Sequence, residues 1–203
     1  LRRQNFLLNW TRNKIRRPIE RMHTYVAFLR GINVGGHKLI KMAELVRIFS
    51  AAGCKNVRTF QQAGNVIFES RSTSTKSLTR KIESGLEKDL GYPVPIVIQS
   101  LADLQKLIAR KPFKKFEASK EVMLVVVFLA AAPEPKPKLP FVSQTENVEV
   151  FEIADRVAFV LSRRKKNGWF GFPNGVVEKA FKVVATTRQW RTVLGVVKAA
   201  EKN

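Results

Sequence analysis

Val57-Arg58-Thr59-Phe60-Gln61-Gln62-Ala63-Gly64-Asn65-Val66-Ile67-Phe68-Glu69-Ser70 is the stretch that decides the fold. Two short runs rich in β-branched and aromatic residues, 57–61 and 66–70, flank an Ala-Gly-Asn turn, which predicts a β-hairpin. Just upstream, Met42, Leu45, Val46 and Phe49 fall on one face of a helix over 42–52, closed by Gly53. Before that helix, 24–31 reads as a buried strand. Downstream, Leu78, Ile82 and Leu86 stack on one face of a helix over 75–90 that Gly91 stops, and 94–99 reads as another strand. The order β-α-β-β-α-β predicts a ferredoxin-like unit, two helices on one face of a four-stranded sheet.

The remaining residues predict a looser copy. Leu101 opens a helix reaching Arg110, with Ser100 as its cap and Asp103 in its first turn. The run 121–130 is apolar enough for a strand buried on both faces. Prolines 133, 135 and 137 break any hydrogen-bond ladder, so that stretch is a loop. A second hairpin pairs 148–153 with 157–162 around Ala154-Asp155-Arg156. Pro173-Asn174-Gly175 turns into a short helix over 176–181, followed by a strand over 183–185 and a terminal helix over 187–200. The expected class is therefore α+β: two ferredoxin-like halves packed together, 22–100 and 101–203, the second less regular. Residues 1–21 read as a basic extension outside the fold.

Charge is the unusual quantity. The chain of 203 residues carries 37 Lys and Arg against 16 Asp and Glu, a formal net charge of +21. The extension holds seven basic residues and one acid, so the rest is still +15. A field of that sign draws polyanions, although lysines dispersed along the surface fit generic solvation equally well. The longest apolar run, 122–132, has eleven residues, short of the roughly eighteen that a spanning helix needs. A single cysteine, Cys54, allows no internal disulfide and fits a cytoplasmic protein.

Candidate chemistry gathers at polar turns. Gly31 and Gly36 followed by Lys38 resemble a phosphate loop only superficially: His37 intervenes, Leu39 replaces the hydroxyl, and no helix follows at once. The loop serves either an anion or its own backbone. Thr186 and Thr187 suit a helix start with Arg188 beside it, again for an anion or for simple capping. Taken together, Arg30, Asn33, Gly35, Gly36, Lys38, Gly64, Asn65, Thr187 and Arg188 form a candidate ligand-binding set. The expected function is a binding module for an anionic small molecule or nucleic acid. The alternative is a small metal-independent enzyme acting on a phosphorylated or carboxylated metabolite. No catalytic residue, cofactor or metal is assigned. His23 and His37 are the only histidines, Cys54 reads as core filler, and paired carboxylates are lacking. Phe28, Phe60 and Phe68 read as core, not as the base-stacking platform of an RNA-recognition sheet.

Three segments also carry a family likeness: Leu29 to Gly36 followed by Met42-Ala43-Glu44-Leu45, the turn Gln61 to Val66, and Ala185 to Leu194. They resemble the domain of unknown function 1697 family, uncharacterised bacterial proteins, over most of 22–198. The chain departs from that pattern at Ala63, where serine is usual, and at Gln189 and Arg191, where asparagines are usual. The resemblance implies a paired ferredoxin-like architecture in a cytoplasmic bacterial protein, and no established activity.

Overall fold

The computed structural model describes residues 21–33 and 39–202. The basic extension and the candidates Gly35, Gly36 and Lys38 lie outside the described residues, apart from Arg21 at the extension's end.

The first sheet follows the predicted order. It runs β1 (His23–Leu29), α1 (Met42–Ala51), β2 (Lys55–Thr59), β3 (Asn65–Ser70), α2 (Thr75–Leu90) and β4 (Ile96–Ser100). The strands lie β2-β3-β1-β4, every neighbour antiparallel. Local chemistry fixes α2 at both ends. The Ser74 hydroxyl accepts the Ser77 N–H at 3.2 Å, and Gly91 leaves the helix with φ +75°, a left-handed turn that suits glycine.

The second half comprises α3 (Leu101–Ala109), β5 (Val122–Leu129), β6 (Phe141–Ser143), β7 (Val148–Ala154), β8 (Val157–Arg163), α4 (Pro173–Phe181), β9 (Ala185–Gln189) and α5 (Trp190–Ala200). Its sheet order is β6-β7-β8-β5-β9. Within it, β7-β8-β5-β9 repeats β2-β3-β1-β4, and the repeat extends to register. Val26 lies between Ile67 and Gln99, and Val126 lies between Phe159 and Arg188. Val26-Ala27-Phe28-Leu29 and Val126-Val127-Phe128-Leu129 are thus the same stretch of the two central strands. The copy is less regular because the proline-bearing loop and the short β6 stand where the first half has α1.

The two sheets share a core. Side chains alternate along a strand, so Val26 and Phe28 of β1 and Val126 and Phe128 of β5 enter one central cluster. Leu104 of α3 and Val193, Val196 and Val197 of α5 complete it. The opposite faces, with Ala27 and Leu29 on one sheet and Val127 and Leu129 on the other, pack under α1 and α2 and under α4. Burial on both faces explains the nearly unbroken apolar run of β5. It also closes the sheet face that an RNA-recognition domain leaves open: Phe28 is fully buried there and Phe60 packs against the same cluster, while Phe68 is buried on the opposite face, under α1 and α2.

Several strand ends shift by one or two residues, and three differences from expectation are larger. Strand β9 takes Thr186, Thr187 and Arg188, which pair with Phe128, Val127 and Val126, so α5 begins at Trp190 and neither threonine caps it. Helix α4 starts earlier, at Pro173, whose fixed φ and missing N–H suit a first turn. Strand β6, unpredicted, pairs through only three residues.

Candidate functional site

Arg188 is the chemical centre of the meeting point between the halves. Its five N–H groups all find acceptors. Nε donates to Asn65 Oδ1 at 2.5 Å, and Nη1 donates to Thr186 Oγ1 at 2.9 Å and to the Thr187 carbonyl at 2.8 Å. Nη2 donates to the carbonyls of Leu29 and Gly64 at 2.9 and 3.0 Å. The guanidinium also lies over the Phe28 ring, 5.4 Å from its centroid. One side chain thereby ties β9 to the end of β1 and to the start of β3. Every acceptor is neutral, so among the described residues the positive charge has no carboxylate against it. Desolvation pushes the Arg188 pKa well below the ordinary guanidinium value, to about 10.

The neighbouring turns are built to meet this group. Asn33, at φ +54°, staples its own loop: its Nδ2 donates to the carbonyls of Ile40 and Gln62 at 3.2 and 3.1 Å, and its Oδ1 accepts the Ile40 N–H at 2.8 Å. Gly64 has φ +67°, and a Cβ there would come within 2.9 Å of Ile32 Cγ1. Asn65 is fully buried and donates to the Phe60 carbonyl at 3.1 Å. The Thr187 hydroxyl donates to Asn174 Oδ1 at 3.2 Å.

A cleft of about 680 Å³ opens where these turns converge. Its walls include Asn33, Gln61, Thr187, Arg188, Gln189 and Arg191, and no Asp or Glu among the described residues. The first turn of α5 faces it: Gln189 is the N-cap residue but its side chain makes no capping bond. The free amides of that turn carry partial positive charge, which Arg191 reinforces.

Of the residues singled out from sequence, Asn33, Thr187 and Arg188 line the cleft. Gly64 and Asn65 sit directly behind it through their bonds to Arg188. Arg30 does not come to the cleft. Its Nη2 donates to Glu178 Oε2 of α4 at 2.7 Å. The candidate set read from the sequence contains neither Gln61 nor Arg191. Only the junction of β9 with α5, which the sequence reading set three residues too early, places Arg191 at the cleft.

The internal repeat supplies a second cleft for comparison. Strand β4 runs into α3 as β9 runs into α5, with Gln99 at the register position of Arg188. A cleft of about 430 Å³ there includes Gln99, Asp103, Lys106, Arg110, Asp155 and Arg156. Ser100 caps α3, accepting the Asp103 N–H at 3.0 Å. Asp103 faces Lys106 at 3.8 Å, and Arg110 pairs with Glu152. The cleft at α3 balances its own charges; the one at α5 does not.

No group of three or more His, Cys, Asp or Glu side chains is placed to hold a metal among the described residues. No helix among them is long and apolar enough to cross a membrane.

The fold has a solved counterpart in the conserved bacterial protein SP0830 from Streptococcus pneumoniae. The two are 18% identical with a TM-score of 0.62, over 90% of this chain and 100% of that one. At that identity the likeness concerns the fold alone. No curated protein is similar enough to count as a relative. The family model for proteins of unknown function DUF1697 matches residues 22–159, most of the ferredoxin-like pair, and the chain belongs to that family.

Proposed function

We propose that the cleft at the start of α5 binds an anionic ligand, a phosphate-bearing small molecule in the first instance. The observation that carries this reading is the contrast between the two equivalent clefts. The fold builds the same junction twice, and at α3 Ser100 caps the helix while Asp103 and Asp155 offset the cations. At α5 the cap bond is missing, no carboxylate lines the cleft among the described residues, and Arg188 adds a charge whose described partners are all neutral. An anion would satisfy the free amides and the field together. Arg188 itself supplies field and framework, since its donors are already engaged. Arg191, exposed at the cleft wall, is the side chain free to make a direct charge-assisted bond.

Calorimetric titration with inorganic phosphate, at constant ionic strength set by chloride, tests the reading. Arg191→Ala should weaken phosphate binding about tenfold, the loss of one hydrogen bond to a charged group. Lys106→Ala, in the balanced cleft, should leave it unchanged. Equal weakening by both variants, or no saturable binding by the native chain, overturns the proposal in favour of diffuse surface attraction.

A further inference from the structure

The polar cleft has a neighbour across Arg191. On the other side of Gln189 and Arg191 lies a second cavity of about 380 Å³, and these two residues line both. The second cavity has a different character. Met123 and Leu124 of β5, Phe170, and Trp190 and Leu194 of α5 form its apolar walls, and Arg191 is its one charged residue among those described. Leu194 is 39% exposed, an apolar side chain left at the surface of an otherwise amphipathic helix. The two adjoining cavities therefore differ in character. One has free helix amides and arginines, the other aromatic and aliphatic side chains, and Arg191 lines both.

Resting on the reading of the polar cleft as an anion site, we infer that its ligand is bipartite: a phosphate joined to a flat, largely apolar ring system, the chemistry of a mononucleotide. Phosphate occupies the end beside Arg188 and Arg191, and the ring lies in the compartment between Phe170, Trp190 and Leu194. Small-molecule sites commonly combine such apolar walls with a few orienting polar groups. An inorganic anion would use only half of this surface. A ring without a phosphate would leave the helix start and Arg191 unanswered.

Three probes separate the parts: inorganic phosphate, adenosine and adenosine monophosphate, titrated calorimetrically against the full chain at constant ionic strength. Adenosine monophosphate should bind at least about tenfold more tightly than either fragment. Leu194→Gln and, separately, Met123→Gln should bring its affinity down to that of inorganic phosphate while phosphate binding stays as in the native chain. That unchanged phosphate affinity also certifies that each variant is folded. If phosphate binds but the nucleotide binds no more tightly, the bipartite inference fails and the anion reading stands. A nucleotide advantage that persists in both variants places the ring elsewhere and also overturns it. If neither phosphate nor nucleotide binds the native chain, the anion reading falls and takes this inference with it.

Discussion

Phe28 and Phe128 stack nearly parallel, ring centroids 4.2 Å apart and planes 9° from each other. They occupy the same position of the repeated strand, one on each sheet, and both are fully buried. The stack thus lies where the two halves meet, under Arg188, and it couples the stability of one half to the other. Phe128→Ala should cost about 3–5 kcal/mol, the usual loss for emptying an aromatic core site. Because both sheets line the same cluster, urea unfolding of the native chain should show one transition by fluorescence and circular dichroism alike. Two resolved transitions would contradict a shared core.

Arg188→Lys should be a costly exchange. A lysine offers three donors from one point, and cannot reach acceptors on β1, β3 and β9 together. Some of the acceptors at Leu29, Gly64 and Asn65 would be left without a donor. The expected loss is about 2 kcal/mol or more, read from chemical denaturation. A variant as stable as the native chain would mean that this network does not hold the halves together.

Gly64→Ala should destabilise by about 1–3 kcal/mol. The position combines φ +67° with an approach of 2.9 Å to Ile32, and its carbonyl accepts from both Leu29 N and Arg188 Nη2. Gly91→Ala has the same sign of φ and open space around it, so it should cost less. Thermal melting of the two variants side by side checks the order.

The Arg30–Glu178 pair should prove asymmetric. Arg30 is 40% exposed on its side chain, so Arg30→Ala should cost under about 1 kcal/mol. Glu178 also accepts the Ala185 N–H through Oε1 at 2.9 Å, and Glu178→Ala strands that amide at the start of β9. It should therefore destabilise more than Arg30→Ala. Arg30→Ala should also leave phosphate affinity unchanged, since the side chain points away from the cleft.

Cys54 gives a pH signature. Burial pushes its thiol from the ordinary 9.0 up to about 11, partly offset by Lys81. A raised thiol pKa means that the unfolded chain loses this proton first. The contribution to stability is complete below about pH 9 and is lost as pH rises toward 11. Cys54→Ala should flatten that part of the stability profile, and alkylation of the native thiol at pH 8 should be slow until denaturant is added. Rapid labelling without denaturant would show that the thiol is open to solvent.

Much of this protein was legible from local chemistry. Helix α2 matches its predicted span from Thr75 to Leu90 because Ser74 and Gly91 act on their immediate neighbours. The β-α-β-β-α-β order follows from periodicities of two and 3.6, which are properties of a single segment. Tertiary structure decided the rest. Thr186-Thr187-Arg188 reads equally well as a helix start, and only pairing with β5 makes it strand. The partners of Arg188 at Asn65 and Leu29 lie 123 and 159 residues away, so no local pattern announces them. Asn33, Asn65 and Arg188 were visible as polar residues at turns. That they converge, that Arg30 turns to α4, and that Arg191 bridges a polar and an apolar cavity all depend on how the two sheets dock. A sequence specifies such contacts through the whole core at once, because burial of distant apolar faces fixes the positions of side chains that never see each other along the chain.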